Sequence, residues 1–584
     1  MNKPPAVRSI RPLLSLLVLA ATAACGPGGS GDASEPFDVV EATIPEMQQA
    51  MTEGGPEQSE PFVVVEATIP EMQQAMTEGR LTARELVEAH LVRIAMYEER
   101  VNAVIAVNPH ALEDADRLDR ERAEGRVRGP LHGIPVALKD NVHTTDMPTT
   151  GGALAFEGFV PPYEATVTAH LKDAGAIILA KTVMTELANY TAAGMPGNYS
   201  AVGGYGLNPY DPRRDPREGR DDGRPVMGVG GSSSGIGTAM SFWAANVGTE
   251  TSGSILSPSN ANMLAAIKPT VGRVSRWGII PITGDQDTAG PMARTVTDAA
   301  ILFGALEGDA PDPNDPATDR CAPPPDGDYT AFLNADGLQG ARIGIPRALY
   351  YDSVQIPGTD RWRGGLDDEE RAAMAEAIEV LRAQGATIVD PADIPSVIDP
   401  DPETSLLTNG RSSVLDYGMK RDFNAWLETL GDAAPVKTLT ELREWNLAHE
   451  NAGAIKYQQA RLDGADEIDL EADRGQYEED RARDIELNGT RGIDAVMDEL
   501  DLDALLFPGS GGAGIAARPG YPTVIVPWAV VPNDGGPDFP DGFEPKPRPF
   551  GVSFTGSACS EPRLLELAYA FEQATHRRVA PEID

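Results

Sequence analysis

Lysine, histidine and cysteine are all scarce in this 584-residue chain. Lysine occurs nine times (3, 139, 172, 181, 268, 420, 437, 456 and 546) among 48 basic residues, against 89 acidic ones, for a net charge of −41. A nucleic acid would approach against that field, which argues against an RNA or DNA partner. The acid excess and lysine shortage fit either a high-salt habitat, where such charge keeps proteins soluble, or a coding bias towards arginine. The seven histidines show neither HExxH nor clustered ligand spacing, and none of the three cysteines belongs to a CxxC pair. No metal and no cofactor is therefore expected. Beyond the first 25 residues no segment is long and apolar enough to be transmembrane. Apolar residues are not lacking, at 41 % of the chain. That supports a substantial core and excludes global disorder, and the length allows one large domain or two ordinary ones.

Residues 1–25 read as an export signal. Lys3, Arg8 and Arg11 form a basic stretch, Leu13–Ala24 is an apolar run too short to span a bilayer, and Thr22-Ala23-Ala24-Cys25 ends it. Small residues directly before a cysteine resemble a bacterial lipoprotein cleavage site, in which Cys25 carries the lipid. Thr22 departs from the large apolar residue usual there, and plain secretion is the alternative. The expected location is periplasmic or cell-surface, with the membrane touched only through a lipid anchor at Cys25. Export would permit a disulfide between Cys321 and Cys559, but cysteines so far apart in sequence are expected to be unpaired. Ser34–Gly54 and Ser59–Gly79 are near copies differing only at Asp38 and Val63. Two copies do not make a solenoid, so residues 26–63 are read as a tether lengthened by local duplication.

From Thr82 the pattern is regular. Thr82-Ala83-Arg84-Glu85 is a capping box opening a helix with Leu86, Val87, Leu91 and Ile94 on its apolar face. Strands are expected at Ala103–Val107, Ile134–Leu138, Ala176–Leu179, Arg342–Ile345, Ala504–Phe507, Thr523–Val526 and Val552–Phe554. Helices are expected near 367–384, 439–462 and 562–574. Strands alternating with helices indicate an α/β sheet with helices on its faces. Three turn-rich stretches, 208–225, 310–328 and 532–549, read as insertions or linkers, the second between a front half that carries the motifs and a back half.

The chemistry concentrates in Gly230–Ser254, GGSSSGIGTAMSFWAANVGTETSGS, and in Lys139 of GIPVALKDN. A serine hydroxyl needs a base, and a lysine serves only when neutral, which requires burial or a cationic neighbour. Lys139 ends a strand-like apolar run that would lead it inward, although a lysine snorkelling at a strand end has the same signature. The Gly-Thr-Glu-Thr-Ser-Gly-Ser run allows successive N–H groups to turn towards one point as an oxyanion hole, or it is an ordinary tight turn. Gly231-Ser232-Ser233-Ser234-Gly235 also fits the GxSxG elbow of an α/β-hydrolase with Ser233 as nucleophile. That reading needs a hydrophobic strand before the serine, which RPVMGVG (224–230) supplies poorly, and a downstream acid–histidine pair, for which only His449 and His576 remain. A β-lactamase-type SxxK is absent, and the glycine-rich loop lacks a Walker lysine.

Taken together, GIPVALKDN (133–141), GAIILAKT (175–182), GGSSSG (230–235), GTETSGSI (248–255), IKPTVGRVSRWGIIPITGDQDTAGPMARTVTDAA (267–300), GYPTVIVP (520–527) and PFGVSFTGSACSEPRLLELAYAFEQAT (549–575) resemble the amidase signature family over residues 64–580, in the family's order. The resemblance implies an open mixed β-sheet flanked by helices on both faces. It also implies a Ser–cis-Ser–Lys triad with Ser254 as nucleophile, Ser232 after a cis bond from Gly231 as relay, and Lys139 as base. Thr251, Ser252, Gly253 and Ser254 would supply the oxyanion-hole N–H groups. With LREWNLAH (442–449), the motifs look most like the peptide amidase branch, whose members cleave C-terminal amides of peptides. The implied activity is hydrolysis of a peptide or other small amide through an acyl-enzyme, without metal or cofactor. Two departures are notable. The Ser232–Ser254 stretch is two residues shorter than the family's usual spacing, so the helix expected at about 235–245 must start or end differently. Position 252 is Ser where the family commonly has Gly or Asp. A ligand-binding lipoprotein on a degenerate amidase scaffold is the alternative from another class. The amidase component of the tRNA-dependent amidotransferase is a third.

Overall fold

A computed structural model describes residues 62–231 and 234–582. The export-signal and lipidation reading, most of the tether, and Ser232 with Ser233 lie outside the described residues. Residues 64–582 build one mixed sheet of 11 strands. In chain order these are β1 (Val104–Val107), β2 (Pro135–Lys139), β3 (Ile177–Thr182), β4 (Ala245–Glu250), β5 (Ala265–Lys268), β6 (Thr288–Ala293), β7 (Arg342–Gly344), β8 (Thr387–Val389), β9 (Ala504–Pro508), β10 (Thr523–Val531) and β11 (Arg548–Thr555). Across the sheet they run β1-β3-β2-β4-β6-β5-β10-β11-β9-β7-β8. β2 pairs in parallel with both β3 and β4. At the seam between front and back halves β5 pairs antiparallel with β10, Lys268 opposite Thr523. Helices Leu256–Ala261, Val296–Glu307 and Glu561–Thr575 pack against the sheet.

Local sequence accounts for the elements that were expected. Thr82 accepts the Glu85 N–H at 3.1 Å while the Glu85 carboxylate accepts the Thr82 N–H at 2.8 Å, and the helix Ala83–Val101 follows. Every residue of β2 and β3 is buried, which is why both read as continuous apolar runs. Three expectations are corrected. The helix after the serine cluster covers only Gly235–Ala239; Ser241 takes φ +55° and the chain enters β4 at Ala245. The expected helix at 439–462 is two, Leu439–Ala448 and Ala460–Glu467, separated by a left-handed Gly453 (φ +96°). Cys321 and Cys559 are joined in a disulfide with Cα atoms 5.7 Å apart. A buried arginine draws their surroundings together. Arg273 donates to Glu561 at 2.6 Å, to the Ala322 carbonyl at 2.9 Å and to Glu307 at 2.8 Å.

The three turn-rich stretches are well anchored. Asp312 accepts from Ser275 at 2.6 Å, and Asp315 pairs with Arg276 at 2.6 Å, holding 310–328 against the front half. The loops 208–225 and 532–549 grip each other: Arg213 lies over the Phe543 ring at 4.3 Å and Arg217 over the Phe539 ring at 4.1 Å.

Candidate active site

Lys139 is the last residue of β2 and is fully buried. Its Nζ donates to the Thr249 carbonyl at 3.0 Å and to Thr249 Oγ1 at 2.9 Å, on neighbouring β4. Burial lowers its pKa to about 7, opposed by the negative charges of Asp287 and Glu250. A neutral amine has two hydrogens and one lone pair. With both hydrogens directed at Thr249, the lone pair remains to accept a proton. The snorkelling alternative is excluded by this burial. Asn141 Nδ2 donates to the same Thr249 hydroxyl at 3.0 Å. Behind it, buried Asp140 faces buried Lys181 at 3.4 Å, and Lys181 donates to Thr149 Oγ1 at 2.7 Å. The KDN and AKT motifs are thus one polar cluster beneath the end of β2.

Directly after β4 the chain reverses. The Glu250 carboxylate accepts the N–H groups of Ile255 and Leu256 at 2.8 and 3.0 Å, pinning the start of the helix Leu256–Ala261. Thr251, Ser252, Gly253 and Ser254 form the intervening turn. Gly253 has φ +92°, a conformation that disfavours any side chain. Among the described residues, the N–H groups of Thr251, Ser252 and Gly253 have no acceptor. The turn is held from the other side as well. Thr251 Oγ1 donates to Asp287 Oδ1 at 2.5 Å, and Gln286 Nε2 donates to the Thr251 carbonyl at 3.1 Å. Asp287 Oδ2 accepts the N–H groups of Ile282 and Thr283 at 2.8 and 2.9 Å. Burial raises the Asp287 pKa to about 6, with the Thr251 hydrogen bond acting in the opposite direction.

The serine-rich loop approaches this turn closely. A methyl group on Gly231 would lie 3.3 Å from Ser254 Oγ. Gly230, at φ +80°, has no room for one at all, since it would lie 2.2 Å from the Pro258 nitrogen. Thr185 Oγ1 donates to the Gly231 carbonyl at 2.6 Å and accepts the Asn198 N–H at 2.7 Å. Gly231 is therefore anchored beside the Ser254 hydroxyl. Ser232, its proposed cis bond and Ser233 lie outside the described residues. The strand that a GxSxG elbow requires is missing from 224–230, where the pairing is a single bridge between Arg214 and Pro225.

The sequence brings Lys139 and Ser254 to one region, with Thr251, Ser252 and Gly253 beside them. It did not single out Thr249, Glu250, Asp287 or Thr185. The first three lie within quoted motifs, so their neighbourhood was legible though their roles were not. Thr185 had no sequence signal. A cleft of about 860 Å³ opens beside the turn, with Ser252 and Gln286 on one wall and back-half residues including Leu406, Leu407, Leu415 and Ile515 on the other.

A family model described as Amidase matches residues 85–565. The chain belongs to the amidase signature family. It is accordingly an amide-hydrolysing enzyme. A probable amidase of Arabidopsis thaliana is 33 % identical over 584 residues, covering 98 % of this chain and 97 % of the relative. Among solved structures, the native peptide amidase of Stenotrophomonas maltophilia aligns with a TM-score of 0.77 and 35 % identity, covering 90 % of this chain and all of that one. One glutamyl-tRNA(Gln) amidotransferase component, from Chloroflexus aggregans, is 38 % identical over 315 residues, 53 % of this chain and 57 % of that one. The sheet thus brings the ends of β2 and β4 together through Lys139 and Thr249, and the turn after β4 reaches the cleft at Ser252.

Proposed function

We propose that this protein is an exported amidohydrolase that cleaves a carboxamide C–N bond through an acyl-enzyme on Ser254, with peptide C-terminal amides as substrates. The observation that carries this reading is the pairing of a buried amine poised near neutrality with a turn in which, among the described residues, the N–H groups of Thr251, Ser252 and Gly253 have no acceptor. Neutral Lys139 takes a proton through Ser232 as Ser254 Oγ attacks the carbonyl carbon. The negative oxygen of the tetrahedral intermediate is received by the N–H groups of Thr251–Ser254, each such donor being worth about 10²–10³ in rate. The C–N bond breaks and the proton held at Lys139 passes to the leaving nitrogen. Water then attacks the acyl-enzyme, gives its proton back along the same route, and releases the acid with Ser254 restored. No step calls for a metal or cofactor.

The peptide substrate is supported by the likeness to the Stenotrophomonas maltophilia peptide amidase along all of that chain's length. Export, with a lipid anchor at Cys25, is supported by the basic and apolar pattern of residues 1–25 and by the Cys321–Cys559 disulfide, a bond favoured outside the cytosol. The same features, with the charge of −41, speak against the aminoacyl-tRNA role of the amidotransferase component.

Fluorophosphonate labelling followed by peptide mapping tests the nucleophile: the adduct is expected on Ser254, and an adduct on Ser233 overturns the assignment. A panel of peptide amides, aryl amides and short aliphatic amides tests the substrate class. Absence of turnover on all of them would favour the ligand-binding alternative.

A further inference from the structure

The chain is strongly acidic, yet the cleft beside Ser252 is not. Its charged lining consists of four arginines (363, 411, 483 and 518) and three aspartates (416, 480 and 484). These are not equivalent in what they offer a ligand. Asp480 accepts from the Ser413 N–H and hydroxyl, both at 2.8 Å, from Gln476 at 2.9 Å, and from Arg483 at 2.5 Å. Asp484 accepts from Ser412 Oγ at 2.6 Å and pairs with Arg518. Both carboxylates are nearly inaccessible. They therefore neutralise Arg483 and Arg518 from beneath. Asp416 accepts the Tyr190 hydroxyl.

Arg363 and Arg411 are different. Both are exposed, and among the described residues neither guanidinium has a hydrogen-bond or ion-pair partner. An unpartnered guanidinium offers five donors in a planar fork that matches a carboxylate. Arg363 and Arg411 both line one cleft, whose other lining mixes apolar Leu406, Leu407, Leu415 and Ile515 with uncharged polar Ser252, Gln286, Gln476 and Asn488. Their charge exceeds that of Asp416, the one lining aspartate that is not paired with an arginine among the described residues. A volume of about 860 Å³ accommodates a short peptide together with its scissile amide.

We propose that the preferred substrates are acidic peptide amides, in which a side-chain carboxylate of the acyl part is received by Arg363 and Arg411. This rests on the amidase reading of the same cleft. It names the charge of the substrate, which the triad does not specify. In a protein of net charge −41, such a locally positive cleft also compensates for the long-range repulsion that an anionic substrate meets on approach.

The test compares N-acetyl-glutamyl-leucinamide with N-acetyl-glutaminyl-leucinamide, which differ in charge but hardly in shape, with the lysyl analogue as the opposite charge. The glutamyl amide should be favoured about ten-fold or more in kcat/KM, since a charge-assisted contact is worth about one such factor. The lysyl amide should be the poorest. The glutamyl-to-glutaminyl ratio should fall towards one in Arg411→Gln and Arg363→Gln, furthest in the double variant, and should shrink as salt is raised. Binding of the same amides to the full-length Ser254→Ala protein, measured by calorimetry, gives a readout independent of turnover. Turnover of all three amides without a charge preference, in rate or in binding, overturns this inference and leaves the amidase reading intact. A binding preference for the glutamyl amide with no turnover by the unsubstituted protein overturns the amidase reading and leaves the charge assignment standing. Neither preference nor binding overturns both.

Discussion

The Lys139 amine meets the Thr249 hydroxyl at 2.9 Å and the Thr249 carbonyl at 3.0 Å, and those two contacts define what the lysine can do. They orient the nitrogen from the adjacent strand and leave no room for it to swing out to water. A threonine in the middle of a quoted motif is thus the partner that orients the lysine proposed as base.

The pH dependence of turnover follows from that environment. Only the neutral amine accepts a proton, and burial lowers its pKa from 10.5 to about 7. The folded enzyme holds this proton less tightly than the free side chain does, so activity is lost as pH falls. We expect log kcat/KM to rise with unit slope up to about pH 7 and to level above it. Asp287 stabilises the charged form of Lys139, so Asp287→Asn should move that limb to lower pH. It should also slow kcat about five- to ten-fold, because its contacts to Thr251, Ile282 and Thr283 weaken. A limb left at the same pH would mean that Lys139 is not the titrating group.

Lys139→Ala should reduce kcat by about 10²–10⁴ while circular dichroism and the elution volume stay unchanged. Retained turnover would remove the lysine from the mechanism.

Thr185→Val removes the donor to the Gly231 carbonyl and the acceptor of the Asn198 N–H. Leaving those groups unmet should cost about 1–3 kcal/mol in urea unfolding. If the anchored Gly231 peptide is what aligns the serine loop, kcat should fall about ten-fold with little change in KM. Thr185→Ser should restore both; recovery of stability without recovery of kcat would limit Thr185 to a packing role.

The Cys321–Cys559 disulfide closes a loop with a sequence separation of 238. Its loss in the Cys321→Ser, Cys559→Ser double variant should lower stability by about 2–4 kcal/mol, read from denaturant midpoints. An unchanged midpoint, with two free thiols by titration in the native protein, would show that the bond does not form.

Much of the sheet was legible where strands are continuous apolar runs, as in PVALK and IILAKT. It was not legible at Ala245–Glu250 or Thr288–Ala293. The first is built from small and polar residues, and the second holds Gly290 and Pro291, residues that weaken a local strand signal. Both become strands because neighbours on each side pair with them. The site followed the same division. Residues with distinctive chemistry, Lys139 and Ser254, could be named from motifs, whereas Thr185 acts through a contact 46 positions away that only the folded chain creates. The disulfide escaped for the same reason: the buried Arg273 network that gathers its two flanks is invisible in one dimension.

The junction of β5 with β10 bears on how the molecule is made. The middle of the sheet joins a strand completed before the halfway point of synthesis to one that emerges near its end. An edge of β5 must therefore wait, unpaired, while nearly half the polypeptide is still to be translated. Exposed strand edges invite wrong partners during such a delay. Biogenesis should accordingly depend on a factor that shields this edge, and C-terminal truncations reaching Thr523 should aggregate as a whole instead of yielding a stable front half.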